Sequence, residues 1–204
     1  MIIEARQLGR RFKSEWIFRN LNYQFEQGKS YAIIGPNGSG KSTLLKILSG
    51  LMPSSEGELI YQNKSRLSED EIYSQVILSA PYLELVEELN LEEFLKFHFN
   101  FKPLLEGRSI NDLIEFCFLE KSRNKMIKNF SSGMKQRLKL GLCFFSDVPV
   151  VLLDEPTTNL DKKGIEWYHQ NYEDYLNQRL VIICSNLTQE YENCNFTLNI
   201  QKFK

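Results

Sequence analysis

"GPNGSGKS", Gly35 to Ser42, follows the apolar run "SYAII" (30–34) and leads into "KSTLLKILSGL" (41–51). In the latter, Leu44, Leu45, Ile47, Leu48 and Leu51 recur with helical period. The eight residues fit GxxxxGK[ST], and a place between a buried strand and a helix is the context that this pattern requires. A triphosphate needs many hydrogen-bond donors and little steric bulk. Gly35, Gly38 and Gly40, with Pro36, Asn37 and Ser39 between them, let the amides of residues 38–43, Thr43 included, converge as an anion nest. The helix N-terminus after Lys41 adds partial positive charge. Lys41 is expected to reach the β- and γ-phosphates, and the Ser42 hydroxyl to ligate Mg²⁺. A ligand-free glycine turn is the alternative, and a chance match in a chain of this length is on the order of one in a hundred.

Downstream, "VVLLDEPTTNLD" puts Asp154 and Glu155 just past four consecutive apolar residues. A lone acidic pair at a strand end is usually just solvated. Paired with the loop upstream, Asp154 is expected to hold Mg²⁺ through its water shell, and Glu155 to polarise the attacking water as general base. Pro156 stops the strand from continuing.

Outward from these motifs the chain reads as an α/β core interrupted by a helical insertion. Strand character appears around "MIIEARQL" and "LNYQFEQGK", at Gly57 to Tyr61 and at Gln75 to Leu78. From Glu84 to Asn129 the sequence turns helical, acidic at first and rich in Phe, with helices near 91–100 and 109–118. Strands return at 148–154, "RLVIIC" and "NFTLNI". The net charge of −1, from 25 basic and 26 acidic residues, gives no overall field toward nucleic acid or anionic lipid. Cys117, Cys143, Cys184 and Cys194 show no CxxC spacing, and three of them sit among apolar residues, as core thiols of a reducing compartment do. No stretch reads as a signal peptide, and the longest apolar runs are too short to cross a bilayer. These features predict a cytoplasmic protein that meets a membrane only through a partner.

Between the two motifs lies "NFSSGMKQRLKLGL", Asn129 to Leu142. The phosphate loop, this segment and "LLDEPTTNLD", in that order, resemble the ATP-binding subunit of ABC transporters over essentially the whole chain. The resemblance implies a P-loop NTPase core of ABC type with an antiparallel β subdomain and an inserted α-helical subdomain. One domain would cover 1–204, with 1–83 and 130–204 as catalytic core and 84–129 as helical subdomain. It implies two ATP molecules, each with Mg²⁺, sandwiched in a head-to-tail dimer with a second or paralogous copy. "FSSGM" would be the signature, with Ser131 and Gly133 contacting the γ-phosphate across the dimer, at a helix start suited to phosphate. Asp161, in "TNLD", would link the two sites. Phe12 aligns with the aromatic that stacks on adenine; Trp16 is a second candidate, and core burial competes for both. The Phe-rich insertion resembles the arm that grips a separate membrane subunit, which would hold this chain peripherally on the inner face of the membrane. Phe94, Phe97 and Phe101 share a helical face and are expected to form that subdomain's core.

Two positions depart from the family pattern. Pro81 stands where a Gln normally contacts Mg²⁺ or its water, and proline has no side-chain amide. Gln75, read as part of a strand, is too far upstream to substitute, which leaves a backbone carbonyl or Tyr82. After the last core strand, "ICSN" puts Asn186 where a His normally meets the γ-phosphate. Asn186 is either a shorter, neutral substitute or a turn residue. His98 and His169 lie in helical segments elsewhere. Since Lys41, Asp154 and Glu155 are intact, the expectation is an ATPase that binds MgATP and hydrolyses it slowly or only when coupled. The family holds two further classes for a single cassette, the soluble iron–sulfur assembly ATPases and hydrolysis-impaired regulatory subunits. By its length alone, the chain also resembles exporter cassettes, including the haem exporter of cytochrome c maturation.

Overall fold

Apolar runs broken by glycine and proline set the order of elements in the computed structural model, which describes all 204 residues. The chain forms β1 (Ile2–Phe12), β2 (Glu15–Glu26), β3 (Ser30–Ile34), α1 (Lys41–Leu48), β4 (Glu56–Asn63) and β5 (Ser65–Arg66). Next come α2 (Glu69–Gln75), β6 (Val76–Ser79), α3 (Leu91–Phe99), α4 (Ile110–Phe116) and α5 (Ser132–Phe145). The last part is β7 (Val150–Asp154), α6 (Lys162–Leu176), β8 (Leu180–Cys184), α7 (Thr188–Tyr191) and β9 (Phe196–Asn199). Four strands make an antiparallel sheet of order β2-β1-β4-β5, and five make a parallel sheet of order β6-β7-β8-β3-β9.

Strands buried on both faces explain the unbroken apolar runs. Every residue of β7 and of β8 is buried. Side chains alternate across a strand, so Val150, Leu152, Leu180 and Ile182 join a core with α1 and the antiparallel sheet. Val151, Leu153, Val181 and Ile183 face the opposite way, into a core built from α3 to α6. That second core fixes the helical stretch between β6 and α5. Leu91, Phe94, Leu95, Leu113 and Ile114 are among its buried contributions. Asn90 caps α3 by accepting from the Glu93 amide at 3.0 Å, and Ser109 caps α4 from the Asp112 amide at 3.2 Å. Such caps contribute about 1 kcal/mol each.

The structure corrects the sequence reading in three places. Helix α1 ends at Leu48 rather than running to Leu51, because Gly50 turns left-handed (φ 77°) and leaves Leu51 exposed. Gln75 closes α2, a short helix begun by a Ser68–Glu71 capping box, instead of opening a strand. Of the three phenylalanines, only Phe94 is core. Phe97 is 46% exposed, and Phe101 lies beyond the end of α3 and is 50% exposed.

Candidate active site

Strand order decides which loops meet. β8 lies between β7 and β3, so Cys184 pairs with Asp154 on one side and with Ile33 on the other. Past those three residues lie Ser185–Asn186, Glu155 and the phosphate loop. β6, on the outer side of β7, delivers Ala80, Pro81 and Tyr82 to the same edge. All four loops thus gather beyond the carboxyl ends of the parallel strands, the usual ligand position of open α/β sheets.

The phosphate loop has the expected strand–loop–helix setting. Gly40 caps α1 with φ 107°, and a Cβ there would sit 2.5 Å from Ile17 Cγ2. No side chain caps the first turn of α1. Its amides stay available to an anion, with the helix dipole behind them. The Lys41 Nζ donates to the carbonyls of Gly35 (2.8 Å) and Pro36 (3.3 Å) and to Asn186 Oδ1 (2.9 Å). Residues 37–43, Ile17 and Glu155 line an open cleft of about 320 Å³.

Asp154 is 3% exposed, and burial pushes its carboxyl above the usual carboxylate range. The Ser42 hydroxyl facing it pulls the other way, Glu155 adds to the rise, and Lys41 opposes it. A desolvated carboxylate beside a hydroxyl is an oxygen donor set that fits Mg²⁺. The Tyr82 hydroxyl also faces Asp154, and the Lys46 ammonium lies 3.9 Å from the Tyr82 ring centroid. Of the two substitutes left open at the Pro81 departure, the tyrosine is the side chain that the fold brings to Asp154.

Glu155 is left-handed at φ 45°, a conformation that costs a non-glycine residue about 1–3 kcal/mol. Its amide is held by the Cys184 carbonyl at 2.8 Å, which aims the residue into the cleft. Asn186 accepts from Lys41 and donates its Nδ2 to Asn37 Oδ1. It therefore faces the phosphate loop.

The remaining residues lie outside this cleft. Phe12, at the end of β1, is 43% exposed with the Arg10 guanidinium 4.7 Å from its ring centroid. Core burial is thus ruled out for it. Trp16 is half-buried between the guanidinium groups of Arg19 (4.6 Å) and Arg11 (5.6 Å). Ser131 caps α5 by accepting from the Met134 amide at 3.2 Å. A Cβ on Gly133 would meet the Asn159 carbonyl at 3.1 Å, so the signature start lies against the TNLD loop. Asp161 caps α6, accepting from the Gly164 amide at 2.8 Å. His98 faces Ser146 Oγ at 3.2 Å in the helical region, and His169 sits on α6; neither lines the cleft. Sequence reasoning missed Gln136 and Lys139 on α5. Gln136 donates to the Pro156 carbonyl at 2.7 Å, and Lys139 to the Ala80 carbonyl at 3.0 Å. Both are long-range contacts of a helix whose local pattern records only its apolar face.

Known proteins resemble this chain in sequence and fold. The family model described as ABC transporter matches residues 18–158. The lantibiotic transport ATP-binding protein SrtF of Streptococcus pyogenes is 30% identical over 193 residues, covering 94% of this chain and 83% of that protein. The cytochrome c biogenesis ATP-binding export protein CcmA of Haemophilus influenzae is 31% identical over 191 residues, covering 92% and 90%. Among solved structures, an ATP-binding subunit of an ABC transporter superposes with a TM-score of 0.85 at 26% identity, covering 98% of this chain and 86% of that one. A dimeric bacterial ABC transporter cassette shares the fold with a TM-score of 0.79 at 23% identity, covering 97% and 94%. No helix of the chain is long and apolar enough to cross a membrane. By motif order, fold and family match, the chain belongs to the ABC transporter family as one of its ATP-binding subunits.

Proposed function

We propose that the chain is the ATP-hydrolysing motor of a membrane transporter and works as a head-to-tail dimer on MgATP. The observation that carries this reading is the Lys41 ammonium, held at the mouth of an uncapped helix beside the buried Asp154. A triphosphate would replace the Gly35, Pro36 and Asn186 acceptors around that ammonium. The amides of 38–43 would hold its oxygens, Phe12 would stack on the base, and Ser42 and Asp154 would hold Mg²⁺. When bound, the metal neutralises charge on the phosphate oxygens. Glu155 orients the water and takes its proton.

A second copy is needed because Ser131 and Gly133 do not line the cleft of their own chain. They would cover the partner's γ-phosphate, with Asp161 at the seam. The expected consequence is complementation in trans. Gly133→Asp and Lys41→Ala chains should each be inactive alone, yet their mixture should regain part of the turnover at one site per dimer. A mixture as dead as its components would refute the two-chain site.

Residues 84–129 form the arm toward the membrane subunit in this reading, and 1–83 with 130–204 the catalytic core. A groove beside that arm is lined by Leu51, Tyr73, Leu83, Val86 and Phe94. Leu51, Tyr73 and Val86 are exposed, an apolar surface of the kind that marks an interface. This groove fits the docking of a partner subunit.

Hydrolysis is slow or coupled because Asn186 supplies one neutral amide where imidazolium charge could stabilise the γ-phosphate, and Pro81 supplies no donor. Restoring the ring in Asn186→His should raise turnover about tenfold, with the KM for ATP within threefold. Steady-state ATPase assays of the two proteins decide it. A fast wild type that Asn186→His leaves unchanged would sink this part.

A further inference from the structure

Three consecutive residues after β7 are each held by a different element. The Glu155 amide donates to the Cys184 carbonyl at 2.8 Å, and the Pro156 carbonyl accepts from Gln136 at 2.7 Å. The third holder is Glu190. Its Oε1 accepts the Thr157 amide at 2.7 Å and the Thr157 hydroxyl as well. Glu190 is 5% exposed, forms no ion pair, and its Oε2 has no hydrogen-bond partner. Burying a carboxyl group with one oxygen unpartnered carries a desolvation cost that the two bonds at Oε1 offset only in part.

Thr157 is two residues past Glu155, in a loop that is left-handed at Glu155 (φ 45°) and again at Asn159 (φ 67°). Glu190 itself is four residues past Asn186, on α7. The Ser185 hydroxyl accepts the Leu187 amide at 2.8 Å, which stiffens the turn between them. One carboxylate thus joins the segment that touches the phosphate loop to the segment that carries the general base.

We propose that Glu190 is a positioning residue that, through Thr157, fixes the aim of Glu155 and couples it to the Asn186 turn. Contact of Asn186 with nucleotide is then passed to the Glu155 loop by a rigid strap rather than through the cleft. The inference rests on the hydrolysis reading given above.

The test uses the full chain and measures kcat, KM, nucleotide affinity and Tm. Glu190→Ala should lower kcat by tenfold or more, since a misplacement of about 1 Å at a reacting group can cost about a hundredfold. KM and the affinity for a fluorescent ATP analogue should stay within twofold. Glu190→Gln keeps a carbonyl acceptor for Thr157 and should recover kcat to within threefold of wild type. Thr157→Val removes one hydroxyl and should lower kcat about threefold, and adding it to Glu190→Ala should have no further effect. If Glu190→Ala does not fold, Thr157→Val and Glu190→Gln carry the test. Unchanged kcat in Glu190→Ala or Thr157→Val would overturn the proposal, as would kcat and affinity falling together with Tm. Glu155→Gln is the control. If it kills turnover while the Glu190 and Thr157 variants behave as wild type, this inference alone fails. If turnover survives Glu155→Gln, the hydrolysis reading fails and takes this inference with it.

Discussion

Glu155→Gln should lower ATP turnover by about 10²- to 10⁴-fold, the share that a positioned general base contributes. The substitution keeps the shape of the side chain and removes only its ability to take a proton. Glu155 lines the phosphate cleft, and its backbone is held by the Cys184 carbonyl, so the loop geometry should survive. The left-handed backbone at Glu155 (φ 45°) must be tolerated by the replacement as well, and its strain is unchanged between the two side chains. ATP binding should therefore remain within threefold of wild type. With the nucleotide no longer consumed, the dimer should accumulate and appear by size-exclusion chromatography in MgATP but not in MgADP. Turnover within fivefold of wild type would mean that another group activates the water.

The second large effect is expected on binding. Lys41→Ala should weaken ATP by about 10- to 100-fold, from the loss of charge-assisted hydrogen bonds of about 1.5–3 kcal/mol. The ammonium also ties the loop together, through the Gly35 and Pro36 carbonyls and Asn186. Its removal leaves those acceptors without their donor and loosens the anion nest, which adds to the loss. Lys41→Arg should rescue little, because a planar guanidinium cannot occupy the space of a point-like ammonium among three oxygens. Titration with a fluorescent ATP analogue, with Tm as a check on folding, reads this directly. Affinity within threefold of wild type would place the phosphates elsewhere.

Much of the fold was legible because its signals are local. β3, after its opening Ser30, and β8 are unbroken apolar runs at the residues where strands were expected, and Asp154 ends its strand. α2 escaped because it buries no residue, so it writes no apolar periodicity into the sequence. The exposure of Phe97 and Phe101 escaped for a related reason. Helical spacing marks a shared face but not whether that face is covered, and here the chain turns away after Phe99.

The candidate site divides in the same way. Lys41, Ser42 and the glycines are contiguous, and their function lies in backbone conformations that residue type alone nearly dictates. The phosphate-loop pattern, the acidic pair at 154–155 and the family they point to are therefore legible in the residues alone. Tertiary structure decided what those groups meet. Placing β8 between β7 and β3 sets Asn186 on Lys41, 145 residues away in the chain. Placing β6 beside β7 brings Tyr82 to Asp154, and docking α7 under the Thr157 loop brings in Glu190. Hydrogen bonds of such long sequence separation leave no periodic trace, because they are fixed by the order in which strands pair and not by any neighbour along the chain.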